Sequence, residues 1–382
     1  MAQFSWRITA FSILALAALS VKASSQTIHV SDPKASFIDV TARRKQLVAA
    51  TNPRLLTAVR DTRSCSSMQS VDPPHGRIDI PRRYVDGGHG KVDPRESEMS
   101  QAYYHIQNLA AAGANSFLIT GSSRESACVL HALDAWAKAK TLLNYDPQES
   151  SQAWDQVSWT VASLSLSVSI IEQDSSLDAR ELAEVIAWLH TAAEKAVSEK
   201  RSSGNERANN NNLSYWRGLA ATSAGIISGD DRLFTRGIAQ YEIAINQLDS
   251  NGAWPLEMER VELALHYQSF ALEPLVMIAE LARRQGINLY SYSAHGHTLQ
   301  TAIAFLMTGV KDPKLAKKLS GSDQKIEIDS DHEYFTWLEF WNLRFPTPAA
   351  SEYLTHPWYA ARLSGSTTLY AAPPSCDGPC AP

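Results

Sequence analysis

Two short segments hold the residues whose types and spacing could do chemistry. The first is Asn209-Asn210-Asn211-Asn212-Leu213-Ser214-Tyr215-Trp216-Arg217, which opens a helical pattern. Asn or Ser at such a boundary is first of all an N-cap, because its side-chain oxygen accepts a hydrogen bond from an unpaired amide. Four consecutive Asn exceed what one cap requires. On the helix that follows, position 213 shares a face with Trp216, Arg217 and Ala220, so that face offers an aromatic ring and a guanidinium together. The second segment carries Arg260 and Tyr267. On a continuous helix this spacing sets both on one face roughly 10 Å apart along the axis, with the small Ala264 leaving space between them. An Arg and a Tyr so placed could serve one elongated ligand. A core Tyr beside a solvated Arg fits the same residues, and the spacing alone leaves both open.

Helices must position these groups. Helical periodicity dominates the interior, and the alternating, β-branched pattern of strands is scarce. Periodic runs are Ala127–Leu143, Trp159–Ile171, Ala179–Ala196, Tyr215–Ile227, Leu233–Leu248 and Leu263–Arg284. Short polar breaks such as Asp174-Ser-Ser and Ser228-Gly-Asp-Asp join them, so sequential helices are expected to be antiparallel neighbours. Two stretches break the pattern. Ser64 to about Pro94 is rich in Pro, Gly, Arg and His, and an irregular stretch of about 30 residues inside a helical domain is usually functional or disordered. Ser291 to His297 holds His295-Gly-His297, a spacing that is a weak metal signal without a carboxylate partner. No His-Glu-x-x-His, Gly-rich phosphate loop or Gly-x-Ser-x-Gly occurs, which disfavours zinc hydrolase, nucleotide enzyme and serine hydrolase readings. No metal and no cofactor is assigned.

The ends and the composition bound the setting. Arg7, the apolar run Ala10–Val21 and the small-x-small ending Val21-Lys22-Ala23 have the layout of a secretory signal cleaved after Ala23. The run is shorter than the roughly 20 residues of a membrane span, so the mature protein is expected to be periplasmic or secreted, without stable membrane insertion. The 382 residues are 44% hydrophobic and 20% charged, ordinary values for a globular chain. A net charge of −5 offers no electrostatic footprint for nucleic acid. A polyanionic partner would need a locally basic groove. Four cysteines, Cys65, Cys128, Cys376 and Cys380, point in an exported chain to disulfides before metal or catalysis.

The string Asn211-Asn212-Leu213-Ser214-Tyr215-Trp216 resembles the Asn-Asn-His-Ser-Tyr-Trp motif of the alginate lyases of polysaccharide lyase family five. The run from Leu256 to Leu275, with Arg260, Ala264-Leu265, Tyr267 and Ala271-Leu272-Glu273-Pro274-Leu275, is similar to that family's second active-site helix in the same register. Further likenesses are Leu133-Asp134-Ala135-Trp136 after Cys128, Arg83-Tyr84 on the family's lid loop, Trp337-Leu338-Glu339 and Arg362-Leu363-Ser364-Gly365. Together they cover about residues 60 to 372.

The resemblance implies an all-α fold, an incomplete α/α barrel of antiparallel helix hairpins with the Ser64–Pro94 stretch as a lid over a groove. It divides the chain into a signal peptide (1–23), an N-terminal segment (24–60), the barrel domain (61–372) and a Pro- and Cys-containing tail (373–382). It pairs Cys65 with Cys128 in a disulfide. It implies cleavage of a uronate polymer by β-elimination without metal, by a monomer whose partner is an acidic polysaccharide. Asn212 and Arg260 are then the donors that neutralise the substrate carboxylate, and Tyr267 is the acid, or both acid and base. Trp216, Tyr215, Arg217, Arg83, Tyr84 and Trp136 are the expected substrate-binding residues. The departure is Leu213, where the family carries His. Leucine can neither bind a carboxylate nor accept a proton. Either Tyr267 serves both ends, which requires proton and leaving oxygen on one face of the sugar as in mannuronate and glucuronate, or the protein is an inactive polysaccharide-binding relative.

Overall fold

The structure, a computed structural model, describes residues 28–85, 88–200, 207–328 and 331–375. The proposed signal sequence and the Cys376–Cys380 segment lie outside the described residues. Helix starts are written locally. Asp93 accepts from Arg95 N ahead of Pro94, Ser150 from Ala153 N, Asp178 from Arg180 N and Glu181 N, and Asp230 from Arg232 N and Leu233 N. Two stops, Gly121 and Gly229, take left-handed φ values of 71° and 67°, a conformation that favours glycine.

The resulting helices are α1 (Val40–Val48), α2 (Pro53–Arg60), α3 (Pro94–Thr120), α4 (Ser123–Lys138), α5 (Ser151–Ile171), α6 (Ala179–Ser198), α7 (Asn212–Ser228), α8 (Asp231–Asn246), α9 (Ala264–Arg284), α10 (Leu299–Lys311) and α11 (Thr336–Arg344). The chain is all-α in two layers, as expected of an incomplete α/α barrel. α3, α5, α7, α9 and α11 pack in that order as an inner layer, and α4, α6, α8 and α10 lie against them outside. A two-residue antiparallel pair, Tyr359–Ala360 with Gly365–Ser366, brings the C-terminal segment onto α3 and α5. α1 and α2 hold that segment from the other side, where Arg43 Nε donates to Leu369 O at 2.6 Å and Arg54 pairs with Glu339.

Inner helices have almost no solvent face, and their sequences show how they tolerate it. α5 is buried from Gln152 to Ile171 although it carries five Ser and one Thr in that run. Ser158, Thr160 and Ser167 donate to carbonyls one turn back at 2.8, 2.8 and 3.0 Å, and Ser163 donates to Ala361 O at 2.6 Å. Their small size permits close approach, and the bonds remove the cost of burying a hydroxyl. α7 and α8 cross where Gly218, Gly225 and Gly237 leave no room for a side chain; a Cβ on Gly237 would sit 2.1 Å from Thr222 Oγ1.

The predicted disulfide Cys65–Cys128 is formed, with Cα atoms 6.1 Å apart. It fixes the start of the irregular segment to α4, and Cys65 N adds a hydrogen bond to Glu125 Oε2 at 2.7 Å. Replacing both cysteines by serine should lower stability by about 2–5 kcal/mol. Urea unfolding of the variant without reductant checks this; an unchanged midpoint would show that Glu125 and the surrounding packing suffice.

Candidate active site

Tyr267 occupies the first turn of α9 with 8% of its surface exposed, and its ring lies under the Arg260 guanidinium, 4.2 Å from Cζ to the ring centroid. The continuous helix expected between them is absent. A short helix Pro255–Met258 ends, Arg260 follows, and Val261 takes φ +56° before the 3-10 turn Val261–Leu263 leads into α9. A β-branched residue at positive φ is strained, and Gln324 braces the corner by donating to Val261 O at 2.9 Å and accepting from Leu265 N at 3.0 Å. Arg260 thus reaches Tyr267 by folding back over its ring.

Burial pushes the Tyr267 phenol well above its usual value, while the Arg260 charge pulls the other way. Its hydroxyl meets Tyr84 Oη at 3.2 Å. Tyr84 belongs to the Ser64–Pro94 segment, whose described residues after the turn Cys65–Ser67 hold no helix before α3 and are joined by the bridge between Tyr84 and Val92. Gly88 O from the same segment accepts from Arg260 Nη1 at 3.0 Å. The irregular stretch therefore lies over the Arg260–Tyr267 pair, as a lid would.

Beneath it is a cleft of 540 Å³ lined by Arg83, Tyr84, Tyr104, Gln152, Trp159, Asn211, Leu213, Arg260, His266, Tyr267, Phe270, Glu273, Glu333 and Arg362, among others. Arg83 donates to the buried Glu96 at 3.2 Å. Arg362 pairs with Glu333 and lies 5.0 Å over the Trp159 ring and 5.6 Å over Phe270. His266 Nδ1 lies 3.3 Å from Asp331 Oδ2, and its ring runs parallel to Phe270. Glu273 is 2% exposed, and burial followed by the nearby Glu333 raises its carboxyl well above the usual range. The cleft thus combines flat rings, guanidinium groups and one carboxyl pushed toward its neutral form. Such a surface suits an acidic sugar chain.

Several expected contact residues lie elsewhere. Trp216 is fully buried and packs at a tilt 5.2 Å from Phe270, so it supports a cleft ring without lining the cleft. Tyr215 donates to Gln247 Oε1 at 2.6 Å and packs on Trp254. Trp136 donates to Val71 O at 3.0 Å in the core. Arg217 is 4% exposed, pairs with Asp155 at 3.2 Å and lies over the Trp154 ring. The face that Trp216 and Arg217 share with position 213 is not a wet one, because the inner-layer helix α7 is buried on nearly every face. Asn212 is also fully buried, with its N and Nδ2 donating to Glu257 at 2.7 and 2.6 Å.

A sequence model of the family described as alginate lyase matches residues 24–316. The chain belongs to the alginate lyase family. Alginate lyase A1-III from a Sphingomonas species is similar over 90% of this chain and 97% of its own, at 36% identity and a TM-score of 0.83. A His-to-Ala variant of A1-III complexed with tetrasaccharide matches with a TM-score of 0.84, covering 90% and 96% of the two chains. A polysaccharide lyase of Stenotrophomonas maltophilia is 27% identical over 84% of this chain and 94% of its own, and an alginate lyase of Pseudomonas fluorescens is 29% identical over 66% and 68%. This alginate lyase homologue is a polysaccharide lyase, and its substrate is an acidic polysaccharide.

Within this alginate lyase fold the cleft also uses residues that the motifs did not single out. Trp159 and Phe270 lie inside predicted helices, but nothing in a helical period marks which buried ring meets a cleft. Glu273, six residues after Tyr267, lies in the string similar to the family's second active-site helix, where nothing in its spacing marks it as a cleft residue. Arg362 comes from a 3-10 turn held in place by the Tyr359–Ser366 pair and by the bond from Ser163 to Ala361 O. Among the described residues, the one group of three metal-type side chains is His190, Glu194 and Asp230, within 4.8 Å of one another and outside the cleft. All three are engaged: Asp230 caps α8 and holds His190 at 2.9 Å, and Glu194 pairs with Arg236. His295-Gly-His297 forms a tight turn closed by Ala294 N and His297 O.

Proposed function

We propose that the enzyme cleaves a mannuronate-rich or glucuronate-containing chain by metal-independent β-elimination, with Tyr267 as both base and acid. The observation that carries this reading is Tyr267 at the cleft wall with its ring beneath the Arg260 guanidinium. Arg260 draws the C6 carboxylate and stabilises charge as it builds there. The Tyr267 phenolate takes the C5 proton, the C5–H electron pair forms the C4–C5 double bond, and the C4–O4 bond breaks. The O4 leaving group then receives the proton from Tyr267. One residue serves both ends because proton and O4 lie on the same face in mannuronate and glucuronate.

Incubation with polymannuronate, glucuronan, hyaluronan and polyguluronate, followed by absorbance of the unsaturated product, tests it. Turnover of the first two and not the last is expected. No turnover of any polymer by folded protein would identify a binding relative instead. Leu213 lines the cleft, so Leu213→His should add a base there and extend activity toward polyguluronate by at least about tenfold over its background, measured in the same assay. Export to an oxidising compartment is part of the proposal, supported by the Cys65–Cys128 bond; cell fractionation checks it.

A further inference from the structure

Two cleft carboxyls, Glu273 and Glu333, stand around one guanidinium, that of Arg362. Glu333 has Arg362 as its ion-pair partner, and its side chain is one-third exposed. Glu273 is 2% exposed and forms no ion pair among the described residues, and its Oε2 is buried without a hydrogen-bond partner. Arg362 Nε is likewise buried and unpartnered. The other charged groups nearby are already matched: Asp331 faces His266 at 3.3 Å, and Asp155 of α5 faces Arg217 of α7 at 3.2 Å. With its one neighbouring cation in contact with Glu333, Glu273 cannot stay ionised at low cost, and a neutral carboxyl carries an O–H donor that a carboxylate lacks. Burial and the Glu333 charge act on it in that direction, and Arg362 opposes them.

We propose that Glu273 is a substrate-binding residue that stays neutral in the cleft and donates its carboxyl O–H to a sugar hydroxyl of the bound chain. The unpartnered Arg362 Nε is the second donor of the same subsite. Trp159 and Phe270, the two rings that Arg362 lies over, give it a flat apolar floor for a sugar face. The neutral form has a second use. An ionised Glu273 would repel a chain that carries carboxylates, whereas the protonated one recognises hydroxyls and adds no charge to the cleft. The balance is kept by Glu333: its contact with Arg362 takes up the one guanidinium charge that would otherwise favour loss of the Glu273 proton.

That the ligand is a uronate chain rests on the proposed lyase reading, so the test reads binding apart from turnover. Calorimetric titration with polymannuronate and glucuronan oligomers is made in a Tyr267→Phe background, where no chemistry intervenes. There, Glu273→Gln keeps a donor of nearly the same shape and should bind within about twofold of its parent. Glu273→Met keeps the bulk but not the donor, and should bind about tenfold more weakly. The infrared difference spectrum of wild type against Glu273→Gln should contain a neutral carboxyl band at pH 7 that shifts when oligomer is added, a response that a purely packing residue would not give. The O–H is present below the Glu273 pKa and lost above it. Raising the pH until the band disappears should therefore weaken binding by the parent and leave Glu273→Gln unchanged. Full affinity in Glu273→Met, or a pH 7 spectrum without the band, overturns the assignment. A wild type that cleaves no polymer while the binding results hold overturns the elimination reading alone, and binding of neither oligomer overturns both.

Discussion

Tyr267→Phe should lower kcat on the preferred polymer by about 10³- to 10⁴-fold, the range expected when one group that both takes and gives the proton is deleted. The ring stays, so its packing under Arg260 and beside His266 stays, and polymer affinity should change by less than about threefold. The pH profile of the wild type is the second readout. Because burial holds the phenol well above its usual value in the free protein, phenolate is scarce at neutral pH. kcat/KM should therefore rise toward alkaline pH by about tenfold per unit below the pKa, and that slope should vanish from the residual activity of Tyr267→Phe. A Phe variant with full turnover would move the proton transfer to another group, with Tyr84, whose hydroxyl lies 3.2 Å from that of Tyr267, the first candidate.

Arg260→Ala should cost about 10²- to 10³-fold in kcat/KM, since it removes the cation that lies over the Tyr267 ring and that the proposed mechanism assigns to the substrate carboxylate. Arg260→Lys should recover little, because an ammonium cannot reproduce the planar fork that bridges a carboxylate, the Tyr267 ring and Gly88 O. The same substitution frees the lid at Gly88. Proteolysis between Tyr84 and Val92 should then be faster in Arg260→Ala than in Tyr267→Phe; equal rates would show that the guanidinium bond does not hold the lid. Steady-state kinetics and limited proteolysis of the two variants side by side separate chemistry from lid anchoring.

How far the sequence carried depends on which contacts a residue needs. Caps, glycine stops and helical periods are local, so α6, α7, α8 and α9 lie within a few residues of the predicted runs, and α5 starts earlier than expected because Ser150 caps it. The Arg260–Tyr267 pairing was legible, although for the wrong reason. The break at Val261 is a tertiary product, enforced by the Gln324 brace, and the spacing argument assumed an unbroken helix. Helical-wheel reasoning failed for Trp216 and Arg217 because it presumes one wet face, which α7 does not have. Asn212 was named through the family resemblance, and no local period could show that its partner, Glu257, lies 45 residues away. Arg362 was invisible as a site residue for a similar reason: its place is set by segments that no periodicity connects.

Val261 carries a consequence for how the enzyme ages under heat. A β-branched residue held at positive φ costs about 1–3 kcal/mol, and neighbours such as Gln324 keep it there. The corner bearing Arg260 therefore sits near the low end of the molecule's local stability scale, while the disulfide and the inner helices sit near the high end. Warming should release that corner as a small cooperative unit of its own. Catalytic power would then fade over a range of temperature in which the helical signal is still intact, and cooling would restore it.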